Sequence, residues 1–216
     1  MNVSKFLVEL WHNYRDKHSY NKGNNNCIIK QGVIINTRFQ VRGDGNKVVI
    51  EDGCVLKNCL VYIAGNNNKI VLHAGSFVSG SDLYVEDNGC RLIVGENSFI
   101  GSHSHLACTE NGREILIGRN CLISANVQIR TGDSHSIYDY DGKRINYGKS
   151  VRVGDHVWIG EGAKILKGVV LQDDTVVGTG SIVTKSFDEK NIIVAGAPAK
   201  IIREFVKWDY NREEKQ

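Results

Sequence analysis

The side chains of this 216-residue chain whose type and spacing could do chemistry gather in one stretch, RTGDSHSIYDYDGKRINYGKS, residues 130 to 150. His135 lies near its start, with Asp133 two residues before it and Tyr138, Asp139 and Asp141 close behind. An imidazole titrates near neutral pH, so it can take a proton from a weakly acidic group as that group attacks an electrophile. The residue types alone leave a second reading open, an exposed loop histidine without a chemical task. His103 and His105 alternate in the H-x-H manner, and with His135 they are nominal ligands for a zinc ion. The six cysteines (Cys27, Cys54, Cys59, Cys90, Cys108, Cys121) form no C-x-x-C pair and read as small, reduced packing residues.

The elements that must hold this stretch are legible as a repeat. From Val153 the chain gives Val153, Ile159, Ile165, Leu171, Val177 and Val183, one aliphatic every six residues. Two positions before each stand Val151, Val157, Ala163, Val169, Thr175 and Ser181, all smaller or β-branched. Residues two apart on an extended strand point to one side, so each hexapeptide supplies a short strand with two inward side chains, then a turn. Three such strands close one triangular coil. Upstream the period lengthens to about 22 residues, and the extra corner reads GDGNK, GNNNK, DNGCR and ENGRE, rich in residues that tolerate positive φ. About seven stacked coils follow, an all-β helix.

Such a coil has no room for twenty extra residues inside, so residues 131 to 150 must leave the prism as an excursion. Outward positions carry a second inference. The first wall presents Ile28, Val49, Val71, Ile93, Leu116, Arg152 and Val170, and the second Ile34, Val55, Phe77, Phe99, Leu122, Trp158 and Val176. On the third stand Gln40, Val61, Leu83, His105, Gln128, Lys164 and Ile182, which sends Tyr62 and Tyr84 inward. Two walls are apolar enough to want covering, as an oligomer interface would cover them.

Composition narrows the function classes. The chain is 41% apolar with a net charge of +3, and its basic residues form no run, so a nucleic-acid surface is poorly supported. No segment approaches the roughly 18 apolar residues of a membrane span. The start, MNVSKFLVELWHNY, lacks the long apolar core of a signal peptide, and a cytoplasmic location is expected.

The stretch VRVGDHVWIGEGAKILKGVVLQDDTVVGTGSIVTKS followed by AGAPAKII resembles the hexapeptide-repeat acyltransferases. Within that superfamily, GDSHSIYDYDGKRINYGKSV and GDHVWIG most resemble the polysaccharide O-acetyltransferases, including enzymes that act on capsular sialic acid polymers. The resemblance implies a left-handed parallel β-helix, a homotrimer with active sites between subunits, acetyl-CoA as donor and a saccharide acceptor. It divides the chain into an N-terminal cap (1–26), the β-helix (27–187), and a coenzyme exit loop with a short C-terminal helix (188–216), with Pro198 suited to the helix's first turn.

In the family a histidine at the position of His135 is the general base, and Trp158 is implied to help define the acetyl or pantetheine site beside it. Gly160 and Gly180 would let the pantetheine arm approach the backbone, and Lys185, Lys200 and Arg203 are the cations placed for the coenzyme phosphates. Related small-sugar enzymes carry an asparagine in a slot that falls here on Gly101. The alternatives are an N-acetyltransferase of an amino sugar, a xenobiotic acetyltransferase and, more remotely, a zinc-dependent protein of the γ-class carbonic anhydrase kind. The H-x4-H spacing of that last class is missing.

Overall fold

A computed structural model describes residues 19–211. Its strands form three sheets, which are the walls of a parallel β-helix of about seven coils. The first wall has seven strands, from Cys27–Lys30 to Val170–Leu171, and the third has eight, from Tyr20–Lys22 to Ile182–Val183. The second wall has nine, beginning at Val33–Ile35. The six-residue beat is the core itself: Ile159, Ile165, Val177 and Val183 are wholly buried, as are their predecessors Val157, Ala163 and Thr175. Each buried aliphatic contributes about 1.5–3 kcal/mol relative to exposure, and in a stacked coil the same positions repeat that contribution rung after rung.

The corners of the longer coils are held by an asparagine ladder. Asn46 Nδ2 donates to Gly65 O at 2.8 Å, and Asn46 Oδ1 accepts from Asn68 N at 3.0 Å. One coil on, Asn68 Nδ2 donates to Asp87 O at 2.8 Å and its Oδ1 accepts from Cys90 N at 2.8 Å. Gly65 is required there, because its φ is +138° and a Cβ would stand 1.8 Å from Asp87 O.

Three expectations about phase and termini need correction. Val61 and Leu83 point inward and are wholly buried, while Tyr62 and Tyr84 point outward and stack at 4.5 Å with an 8° interplanar angle. Strands such as Leu60–Ala64 have five residues and two inward positions, Val61 and Ile63, so a six-residue count carried across them shifts by one. Outward tyrosines also keep their hydroxyls out of the core. The same slip affects the first coil, where Ile29 aligns with outward Val49, and Val33 rather than Ile34 aligns with outward Val55.

The expected C-terminal helix is instead a hairpin. Ile193–Gly196, the last parallel strand of the second wall, pairs antiparallel with Ala199–Arg203, and Pro198 sits in the turn between them. A final strand leaves a row of unpaired N–H and C=O groups, and folding the chain back satisfies them. Most of the N-terminal cap lies outside the described residues. Of the rest, Tyr20–Lys22 already pairs as a strand with Arg38–Arg42.

Candidate active site

The excursion leaves the third wall after Gln128–Arg130 and rejoins the first wall at Val151–Val153, so it starts and ends at one corner of the prism. Its base is stapled shut. Thr131 Oγ1 donates to Thr109 O at 2.8 Å and accepts from Thr109 N at the same distance, and Lys149 N donates to Thr131 O at 2.8 Å. Glu110, from the coil below, accepts from Arg144 at 2.6 Å and from Gly148 N at 2.8 Å. At the tip, Asp139 Oδ1 accepts from the main-chain N–H of Asp141 and Lys143, which closes a tight turn at Gly142. The loop is thus tied at both ends to the neighbouring coil.

His135 projects from the outgoing limb into a cleft of about 410 Å³ lined by Arg130, Gly132, Asp133, Ser134, Leu166 and Lys167. The histidine is exposed, and its imidazole has no hydrogen-bond partner among the described residues. Lys167 belongs to the next coil and reaches across to donate to Asp133 Oδ2 and, at 2.9 Å, to Asn146 O. Desolvation pushes the Asp133 carboxyl up, but hydrogen bonds from Lys167 and Asn146, with the charges of Lys167 and Arg130, outweigh it and hold the group below the ordinary carboxylate range. Asp133 is thereby a committed anion. Its oxygen is engaged by Lys167 and Asn146, not by the imidazole.

Trp158 is elsewhere. It stands on the outer face of the second wall, 38% exposed, with its ring 5.9 Å from that of Trp208 and its Nε1 3.4 Å from Ser124 Oγ. Trp208 arrives on the segment after the hairpin, which runs back over the second wall's edge. Its ring stacks on His156 at 4.1 Å, its Nε1 donates to His156 O at 2.8 Å, and Tyr210 donates to Asn120 O at 2.8 Å. Gly160 and Gly180 occupy corners between the second and third walls, and Gly160 has no room for a Cβ, which would lie 2.7 Å from Thr179 N. Lys185 and Lys200 line a common cleft of about 390 Å³ with Phe187, Asp188 and Glu189, and exposed Arg203 lies outside it at the end of the hairpin.

The chain thus brings Lys185 and Lys200 together and sets His135 at a different corner from Gly160 and Gly180, and away from Trp158 on the second wall's outer face. Gly101 packs a would-be Cβ 2.8 Å from Ser124 C, so this backbone does not admit the asparagine of the small-sugar pattern. His105 faces Asp82 at 3.4 Å and tilts against Tyr84. No group of three His, Cys, Asp or Glu side chains among the described residues is placed to hold a metal ion. Reading the sequence alone missed Asn146, Lys167, Glu110 and Trp208. None of the four stands out by type or spacing in the sequence, because each meets its partner only across stacked coils or across the loop.

Two family models match the chain: "Bacterial transferase hexapeptide (six repeats)" over residues 150–185 and "Hexapeptide repeat of succinyl-transferase" over residues 91–130. A polysialic acid O-acetyltransferase of Neisseria meningitidis is 36% identical over 107 residues, covering 49% of each chain. The matched stretch spans between about a third and a half of the length of the curated relatives. Superposition reaches further. The solved structure of the polysialic acid O-acetyltransferase OatWY is 31% identical, covers 91% of this chain and 93% of its own, and has a TM-score of 0.86. That of the polySia-specific acetyltransferase NeuO is 28% identical over 93% of both chains, with a TM-score of 0.80. With hexapeptide repeats recognised on both sides of the excursion and a near full-length match to a relative above 30% identity, the chain belongs to the hexapeptide-repeat acyltransferase family and is kin to the polysialic acid O-acetyltransferases.

Proposed function

We propose that this protein is an acetyl-CoA-dependent O-acetyltransferase whose acceptor is a hydroxyl of a surface polysaccharide or its sugar precursor, with His135 as general base. The observation that carries the reading is the placement of His135: a loop tied down at both ends holds an exposed imidazole in a cleft bounded by the next coil. A sugar hydroxyl is a weak nucleophile, whereas a thioester is already activated, so proton removal in position is the main demand. The hydroxyl oxygen bonds to the acetyl carbonyl carbon as the imidazole takes its proton. The C–S bond then breaks, and the proton leaves with the sulfur as free coenzyme A thiol.

Trp158, Gly160 and Gly180 enter the same reading through assembly. Val49, Val71, Ile93 and Leu116 line the outside of the first wall, and Val55, Phe77, Phe99 and Leu122 that of the second. If the first wall of one copy packs on the second wall of the next around a threefold axis, the His135 corner lands beside the partner subunit's Trp158 and its glycine corners. The donor's acyl arm then lies between copies, with its phosphates toward Lys185, Lys200 and Arg203. A cytoplasmic setting suits six free cysteines, five of them buried. No described helix is long and apolar enough to cross a membrane.

The test is incubation with acetyl-CoA and a panel of saccharides, a sialic acid polymer among them, read by thiol release and by mass spectrometry of the acceptor. Acetyl esters on a saccharide support the proposal. Acetyl amides on amino sugars would assign the chain to N-acetylation, and the absence of acetyl transfer to any acceptor would remove the reading.

A further inference from the structure

The imidazole of His135 has no hydrogen-bond partner among the described residues, so within the chain its orientation is set through its main chain. One side chain holds that main chain. Asn146, 7% exposed, donates Nδ2 to the His135 carbonyl at 2.8 Å and to Asp133 Oδ2 at 2.9 Å, while its Oδ1 accepts from Ile137 N at 2.8 Å. A single amide thus grips positions 133, 135 and 137 of the outgoing limb. The geometry suits an amide alone, because a carbonyl and the N–H two residues on point the same way from an extended segment and need a donor and an acceptor side by side. Ser134, inside the grip, sits at φ +67°, a conformation that its surroundings must hold.

The amide is itself anchored from two sides. Arg144 Nε donates to Asn146 Oδ1 at 3.3 Å, and Lys167 from the next coil donates to Asn146 O and to Asp133. The chain of contacts runs from a rigid rung, through Lys167 and Asn146, to the backbone that carries the base.

We propose that Asn146 is the positioning residue of His135, acting through its carbonyl rather than on the substrate. This inference rests on the reading of His135 as base. A misplacement of about 1 Å costs about 100-fold in rate, so loss of the grip is expected to lower turnover with little change in substrate affinity.

The experiment is a double-mutant cycle of acetyl transfer at saturating donor and acceptor, using Asn146→Ala, His135→Ala and the pair. Asn146→Ala should lower kcat by about tenfold or more with KM changed less than about threefold, and the double variant should lose no more than His135→Ala alone. Asn146→Asp, nearly isosteric, should lose as much, since its oxygens cannot donate to His135 O. If Asn146→Ala misfolds, Lys167→Met removes the anchor and should show the same kcat-selective loss. Normal turnover in Asn146→Ala, or losses that multiply with those of His135→Ala, would overturn the assignment. If His135→Ala itself retains full turnover, it is the base that has been misassigned, an outcome separate from either.

Discussion

His135 and Trp158 stand on opposite sides of one chain: the histidine leaves the corner between the third and first walls, and the tryptophan lies on the outer face of the second. A site using both must draw them from two copies. Sedimentation at micromolar concentration is expected to show a trimer. Co-assembling His135→Ala with Trp158→Ala subunits should then restore about a quarter of wild-type activity, the share of interfaces that randomly pair an intact histidine with an intact tryptophan. A stable monomer, or no recovery in mixed trimers, would rule out the shared site.

His135→Ala should lower turnover by about 100-fold or more, the usual contribution of a general base. Assembly and acetyl-CoA affinity should be preserved, because the side chain is exposed and contributes nothing to the core. His105→Ala, on the outer third wall beside Asp82, is the control expected to stay active. Loss of transfer in the control rather than in His135→Ala would move the base elsewhere.

Changing Lys200 and Arg203 together to alanine should weaken coenzyme A more than dephospho-coenzyme A if these cations meet the terminal phosphate. Calorimetric titration with both ligands separates the cases. Equal loss would place the phosphate with Lys185, which shares a cleft with Lys200.

The Asp133 carboxyl is held below its ordinary range despite the opposing effect of desolvation. A depressed folded-state pKa adds stability above the unfolded value of about 3.9, and that stability disappears as pH falls through the folded value. Asp133→Asn should therefore flatten part of the acid limb of the stability profile below about pH 4 and leave the neutral region of the curve parallel to wild type. Parallel acid limbs in the two proteins would mean that Lys167 does not hold the carboxylate in solution.

The wrapping of the chain was readable in advance because a parallel coil imposes the same pair of inward sites on every hexapeptide, as Val151 and Val153 through Ser181 and Val183 show. The excursion at 131 to 150 was readable for the complementary reason, since a core of that kind has no space for it. Where the count failed, at Tyr62 and Tyr84, the strands hold five residues with two inward positions, and a periodicity does not say where it restarts. Only the coil-to-coil register decides that. The C-terminal hairpin was hidden because its cause is the open edge of Ile193–Gly196, a property of the sheet and not of AGAPAKII. Asn146 and Lys167 were hidden in the same way. One is eleven residues from His135 and the other thirty-two, and neither has a local pattern that distinguishes it. Sequence determined the repeat, the break in it and the histidine at the break. Tertiary structure decided what holds that histidine, because residues one coil apart become neighbours only when the coils stack.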